Sequence, residues 1–115
     1  MQRCGQCTRL RWPGRPICND CHSSALEWVP VSGRGAIESW TVTHHSFGPA
    51  VAVPFVVVLV RLDDQDDIYM PGYFDGPGDG LNLQAGQPVV ADFEDVALSD
   101  GGSLRVVLWR TDPPA

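Results

Sequence analysis

Two Cys-x-x-Cys pairs, Cys4-Gly5-Gln6-Cys7 and Cys18-Asn19-Asp20-Cys21, hold every cysteine of the chain within its first 21 residues. Each pair is the right length for a tight turn whose backbone N–H groups point at sulfur. Two such turns brought together give tetrahedral coordination by four sulfurs. The intervening "TRLRWPGRPI" suits a hairpin that turns at Pro13-Gly14. A short chain with paired cysteines and no secretory signal reads as a metal binder rather than a disulfide scaffold. Zinc is the expected ion, with iron in a rubredoxin-like site as the alternative.

Four thiolates leave no open position for water or substrate, whereas a catalytic zinc keeps one. Cys4, Cys7, Cys18 and Cys21 are therefore read as ligands of a structural Zn2+, supplying folding free energy that a head this small cannot obtain from apolar burial. A redox dithiol would not need a second pair beside it. His22 follows Cys21 directly and is read as a surface residue, since the ligand set is already complete.

Charge narrows the function classes. The chain has 14 Asp and Glu against 8 basic residues, all of them arginine, for a formal net charge of −6. A divalent metal on four thiolates lowers this further. Sequence-independent binding to a phosphate backbone needs clustered positive charge, so no nucleic-acid partner is expected. The longest apolar run, "AVAVPFVVVLV", is interrupted by Pro54 and is too short to span a bilayer. With no leader or membrane span evident, the cytoplasm is the expected compartment.

From Gly33 onward, β-rich runs alternate with turn clusters. Five strands are predicted, at 36–44, 53–62, 67–75, 88–96 and 103–110. The second is apolar on both faces and reads as a doubly covered central strand. Pro71-Gly72 should bulge or split the third. "GLNLQAG" has room for one helical turn. Five strands in this length fit an OB barrel better than an immunoglobulin sandwich. The expected fold is all-β, with a rubredoxin-like zinc ribbon (1–32) followed by a five-stranded OB-fold barrel (33–115).

The remaining candidate residues read mostly as structural. His44 and His45 lie at a predicted strand end, where neighbours point to opposite faces and cannot share a metal or proton easily. No free cysteine nucleophile or serine elbow accompanies them. "DDQDD" (63–67) lacks the glycine and bidentate glutamate of a calcium loop and reads as a solvated turn. Phe47, Tyr69, Tyr73 and Phe74 flank the central strands. Aromatics so placed stack on bases in nucleic-acid binders or anchor protein partners, and the acidic surroundings favour the second use.

Several of these features occur together in one known family. Trp12-Pro13, Arg15-Pro16, Glu27-Trp28, Gly33-Arg34-Gly35, His44 and Pro54-Phe55-Val56-Val57 follow the cysteines in order. The chain thereby resembles the zinc-ribbon and OB-fold family of accessory subunits to thiolase-like acyl-CoA enzymes, which includes the partner domain of steroid side-chain aldolases. It departs from that pattern in three places. "DDQDD" replaces a single Asp/Glu-Gly turn, Pro13-Gly14-Arg15 stands where the family has Pro-Pro-Arg, and the ribbon follows almost directly on Met1. Some relatives are fused behind a hydratase-like hot-dog domain, so either a short member or a domain cut from a longer polypeptide is expected.

The resemblance implies a non-catalytic subunit that stabilises a thiolase-fold (sterol-carrier-protein-x-like) partner and helps shape its acyl-CoA channel. A hetero-oligomer such as α2β2 is implied, with the acyl-CoA bound mainly by the partner and the catalytic residues on the partner chain. Retro-aldol cleavage of steroid side-chain CoA thioesters is the most specific version. Acyl transfer, hydroxymethylglutaryl-CoA formation and a nucleic-acid-binding ribbon–barrel protein are the alternatives. Arg15, His44, His45, Phe47, Tyr73 and Phe74 are the candidates for partner or channel contacts.

Overall fold

The computed structural model describes residues 1–46, 52–98 and 100–112, and within them the chain forms strands and turns but no helix. The cysteine-bearing head is a small antiparallel sheet. Its strands are β1 (Gln2–Cys4), β2 (Leu10–Arg11) and β3 (Leu26–Trp28), in the order β2-β1-β3. The remaining strands are β4 (Arg34–Thr43), β5 (Phe55–Leu62), β6 (Tyr69–Phe74), β7 (Pro88–Ala97) and β8 (Ser103–Thr111). They close a barrel in the order β4-β5-β6-β8-β7. All its pairings are antiparallel except β6 with β8. That order with its one parallel seam is the OB topology, so the expected ribbon-plus-barrel fold is the one observed.

Alternation along β5 builds the core. Val56, Val58, Val60 and Leu62 are buried, and Ile37, Ile68, Leu83, Val89 and Trp109 pack with them. Burying each such side chain contributes on the order of 1.5–3 kcal/mol. The other face of β5 is not fully covered as its apolar sequence suggested. Phe55, Val57 and Leu59 are half-buried and Arg61 is exposed, because a barrel this small covers its strands from inside only.

Three further expectations are corrected. β6 runs unbroken through Pro71-Gly72, with Pro71 opposite Leu59 and Gly72 opposite Val58. β6 meets β8 only at Tyr73 and Phe74, so one edge of the strand is unladdered near Pro71, where a missing N–H is tolerated. Gly72 is required there: a Cβ would sit 2.8 Å from the Trp109 indole. The register irregularity falls instead in β4, between Ile37 and Ser39. "GLNLQAG" forms turns, not a helical turn, and sends Leu83 into the core.

The head also differs in detail. β2 pairs with β1, not with a strand beyond Pro13-Gly14. The hairpin therefore turns at the first cysteine pair, and residues 12–17 form a loop rich in proline, which cannot donate to a ladder.

Candidate metal centre and the ribbon–barrel junction

β1 delivers Cys4 from a sheet position, and the chain then turns so that Cys7 comes back beside it. The Thr8 amide donates to the Cys4 carbonyl at 3.1 Å, and Thr8 has φ +68°. The second pair repeats this design, with the His22 amide on the Cys18 carbonyl at 3.0 Å and φ +64° at His22. Each turn aims amides at its first sulfur. Cys7 N and Gln6 N lie 3.4 and 3.5 Å from Cys4 Sγ, and Asp20 N lies 3.4 Å from Cys18 Sγ.

The two turns meet sulfur to sulfur, with Cys4 to Cys21 at 3.5 Å and Cys7 to Cys18 at 3.6 Å. All four ligand atoms lie within 4.8 Å of one another. Cys4 and Cys18 are buried, and Cys7 and Cys21 are half-buried. This is the donor set and spacing that a tetrahedral thiophilic ion requires, so the residues fit such an ion. His22 is exposed and outside the cluster.

The backbone donors separate the sulfurs electrostatically. Amides of Cys7 and Gln6 hold the Cys4 thiol down to about 6. Amides of Cys21 and Asp20 lower Cys18 in the same way. For Cys7 one amide, from Arg9, works downward. Burial and the neighbouring sulfurs of Cys4, Cys18 and Cys21 outweigh it and push the thiol up to about 11. Cys21 is raised despite a lowering amide from Ser23, through burial and the sulfurs of Cys4 and Cys18. The apposed pairs thus each combine one sulfur biased toward the thiolate with one biased toward the thiol.

The acidic stretch 63–67 joins head to barrel, which corrects its reading as a merely solvated turn. Asp64 accepts from the Ser32 amide at 3.0 Å and from the Ser32 hydroxyl at 2.6 Å. Burial opposes its ionisation, but Ser32 more than offsets this and its pKa is lowered. Gln65 binds the Leu10 backbone from both sides, and Asp67 pairs with Arg9, which also reaches Asp20 at 3.1 Å. Hydrogen bonds from Gln65 and then Arg9 lower the Asp67 pKa. Asp63 and Asp66 face solvent.

The contact candidates fall in three places. Arg15 is exposed on the loop after β2, its amide donating to Gln2 Oε1 at 2.7 Å, and it lines a cleft of about 150 Å³ with Arg9, Arg11, Asp20 and Asp67. Tyr73 and Phe74 are half-buried on β6, and Phe55 meets the Tyr73 ring edge-on at 5.5 Å. These three aromatics line an outer cavity of about 460 Å³ with Leu108 and Arg110. His44 and His45 are exposed just past β4, following Thr43, which pairs with Phe55. The structure thus brings Tyr73 and Phe74 together and keeps Arg15 apart, at the ribbon. Phe47 lies outside the described residues.

Sequence reasoning missed Gln65, Phe55 and Arg11. Gln65 was signalled only as the uncharged residue among four aspartates. Arg11 is 8% exposed, and none of its three guanidinium nitrogens has a hydrogen-bond partner among the described residues. Nothing in the local sequence marks it as buried.

The family model described as the ChsH2 C-terminal OB-fold domain matches residues 28–94. The chain belongs to this ChsH2 OB-fold family. The match takes in β4, β5, β6 and part of β7, which is the barrel rather than the cysteine head. Two curated relatives extend it. A probable enoyl-CoA hydratase alpha subunit of Thermomonospora curvata is 34% identical over 93 residues, covering 81% of this chain and 28% of its own length. The 3-oxo-4,17-pregnadiene-20-carboxyl-CoA hydratase alpha subunit of Mycobacterium tuberculosis is 35% identical over 86 residues, covering 75% and 27%. The chain therefore spans little more than a quarter of these relatives. A solved structure titled Ltp2-ChsH2(DUF35) aldolase superposes with a TM-score of 0.78 at 32% identity, covering 96% of this chain and 81% of that one. The likeness to a ChsH2-type module thus runs through head and barrel alike.

Proposed function

We propose that this chain is a non-catalytic ChsH2-type module that binds and stabilises a thiolase-fold partner acting on acyl-CoA, with the reaction centre on the partner. The observation that carries this reading is the match over 96% of the chain to the ChsH2 component of an aldolase. Retro-aldol cleavage of a steroid side-chain CoA thioester is the most specific form. The four thiols support it in one respect: they form a closed ligand set for zinc, which acts as a staple and offers no position to substrate. Among the described residues, His44 and His45 stand apart from the cysteine cluster. The half-buried aromatics Phe55, Tyr73 and Phe74 suit a protein contact better than chemistry. The cytoplasm is the compartment proposed for the complex.

Co-expression with a thiolase-fold protein from the same genome tests this. Capture of one chain should retain the other in fixed stoichiometry, and the pair should cleave a steroid side-chain CoA thioester that neither cleaves alone. A monodisperse monomer that changes neither the solubility nor the activity of any such protein would overturn the proposal.

A second reading rests on the two curated relatives, both hydratase alpha subunits of which this chain matches about a quarter. In it the module works beside a hydratase domain. Hydration of a steroid enoyl-CoA by a complex containing this chain, with no aldol cleavage, would favour it.

A further inference from the structure

Arg11 carries a permanent charge into the interior of the head with no acceptor for it. The residue is 8% exposed, and Nε and both terminal nitrogens lack partners among the described residues. An unpaired buried charge is costly by several kcal/mol, so some negative charge must compensate it. The two carboxylates on the neighbouring cleft, Asp20 and Asp67, are both taken by Arg9. A small anion entering that cleft would not reach the guanidinium, because each of its nitrogens is closed off from solvent.

Sheet register identifies another source. Arg11 lies directly opposite Gln2 in the β1–β2 pair, so their side chains share a face. Cys4 is two residues along β1 and returns to that same face. Gln2, Cys4 and Arg11 are all buried there, at 5%, 0% and 8% exposure. Diagonal neighbours of this kind are typically roughly 7–8 Å apart, with their Cβ atoms somewhat closer. Four thiolates around a divalent ion sum to −2, and in a poorly solvated interior such a charge acts on a buried guanidinium on the same face over several ångströms.

We propose that Arg11 is the buried countercharge of the metal–tetrathiolate centre. It acts through space, without a hydrogen bond to sulfur. Its charge favours the fully deprotonated, metal-holding ligand set. This rests on the metal-binding reading of the four cysteines, and the two are separable by experiment.

The test uses the full chain and Zn2+ in competition with a chromogenic chelator at fixed pH. Stoichiometric binding by the unmodified chain establishes the metal site itself. Arg11→Met then weakens Zn2+ affinity by about tenfold or more, while Arg11→Lys, which keeps the charge, retains most of it. Thermal unfolding separates charge from packing. Without metal, Arg11→Met should be no less stable than the parent, because the arginine is then either an uncompensated buried charge or released to solvent with the unfolded head. With Zn2+ it should be less stable. Unchanged affinity in Arg11→Met, or equal loss in Arg11→Lys, would overturn the proposal. So would equal destabilisation of the metal-free and zinc-loaded forms. If Arg11→Met does not fold, Arg11→Gln replaces it in the same comparison.

Discussion

Gln65 pairs with Leu10 through its side chain as a strand residue would through its backbone. Its Oε1 accepts from the Leu10 amide at 2.9 Å, and its Nε2 donates to the Leu10 carbonyl at 3.0 Å. A side-chain amide carries the same donor and acceptor as a peptide group, so one residue adds a rung to the free edge of β2. That edge is closed, and the head is fixed to the barrel loop in the same contact.

Replacing Gln65 with leucine keeps the bulk and removes both bonds. The Leu10 N–H and C=O would then lack partners in a half-buried position, at a cost of about 1–3 kcal/mol. Hydrogen exchange at the Leu10 amide should accelerate markedly, and far more than at the core amides of β5. Unchanged protection at Leu10 would show that the clamp carries no stability.

Cys4→Ser or Cys18→Ser should abolish high-affinity metal binding and unfold the head while the barrel strands persist. The loss should appear as missing dispersion for residues of β1 to β3 in heteronuclear spectra. A complex that survives with its partner should keep its chemical rate. A fully assembled complex that lost only that rate would make the centre catalytic.

The sulfur protonation pattern predicts a proton count. Cys4 is held at about 6, below its ordinary 9.0, so its thiolate favours the metal-free fold above about pH 9 and that benefit fades as pH falls through 6. Cys7 is raised to about 11, so it favours the fold as a thiol below about 9 and loses this as pH rises through 11. Between these limits, metal uptake must expel protons chiefly from Cys7 and Cys21, which is also raised. Calorimetry at pH 7.5 in buffers of different ionisation enthalpy should report clearly fewer than four protons released per ion, because Cys4 is already a thiolate. Release of four would mean that Cys4 is not a thiolate beforehand.

Gly72→Ala should destabilise the barrel. The new methyl would lie 2.8 Å from the Trp109 indole and 3.0 Å from the Val107 carbonyl oxygen. Trp109 is among the largest fully buried side chains and has little freedom to give way. Overpacking of this kind costs about 1–3 kcal/mol. Denaturant unfolding should show a lower midpoint with an unchanged slope.

The sequence was most legible where chemistry demands a spacing or a period. Two cysteine pairs can serve a tetrahedral ion in few ways, and alternation in "VPFVVVLVRL" leaves one face of β5 for the core. It was least legible where a residue's role depends on what the fold brings from afar. Gln65 reaches Leu10 across 55 positions of chain, and no local pattern encodes that. Arg11 reads like an ordinary exposed arginine until the β1–β2 register places it beside Gln2 and on the face of Cys4. Pro71-Gly72 misled for the same reason, since only the short β6–β8 seam makes a proline harmless there.

The two cysteine turns have one further consequence. They share their backbone bonds and their left-handed residues at Thr8 and His22, yet Gly5-Gln6 and Asn19-Asp20 have no residue in common. What repeats is a path of the main chain rather than a set of side chains. The grip on the ion is therefore written in four sulfurs and a twice-used backbone path, and the letters between the sulfurs carry little of it.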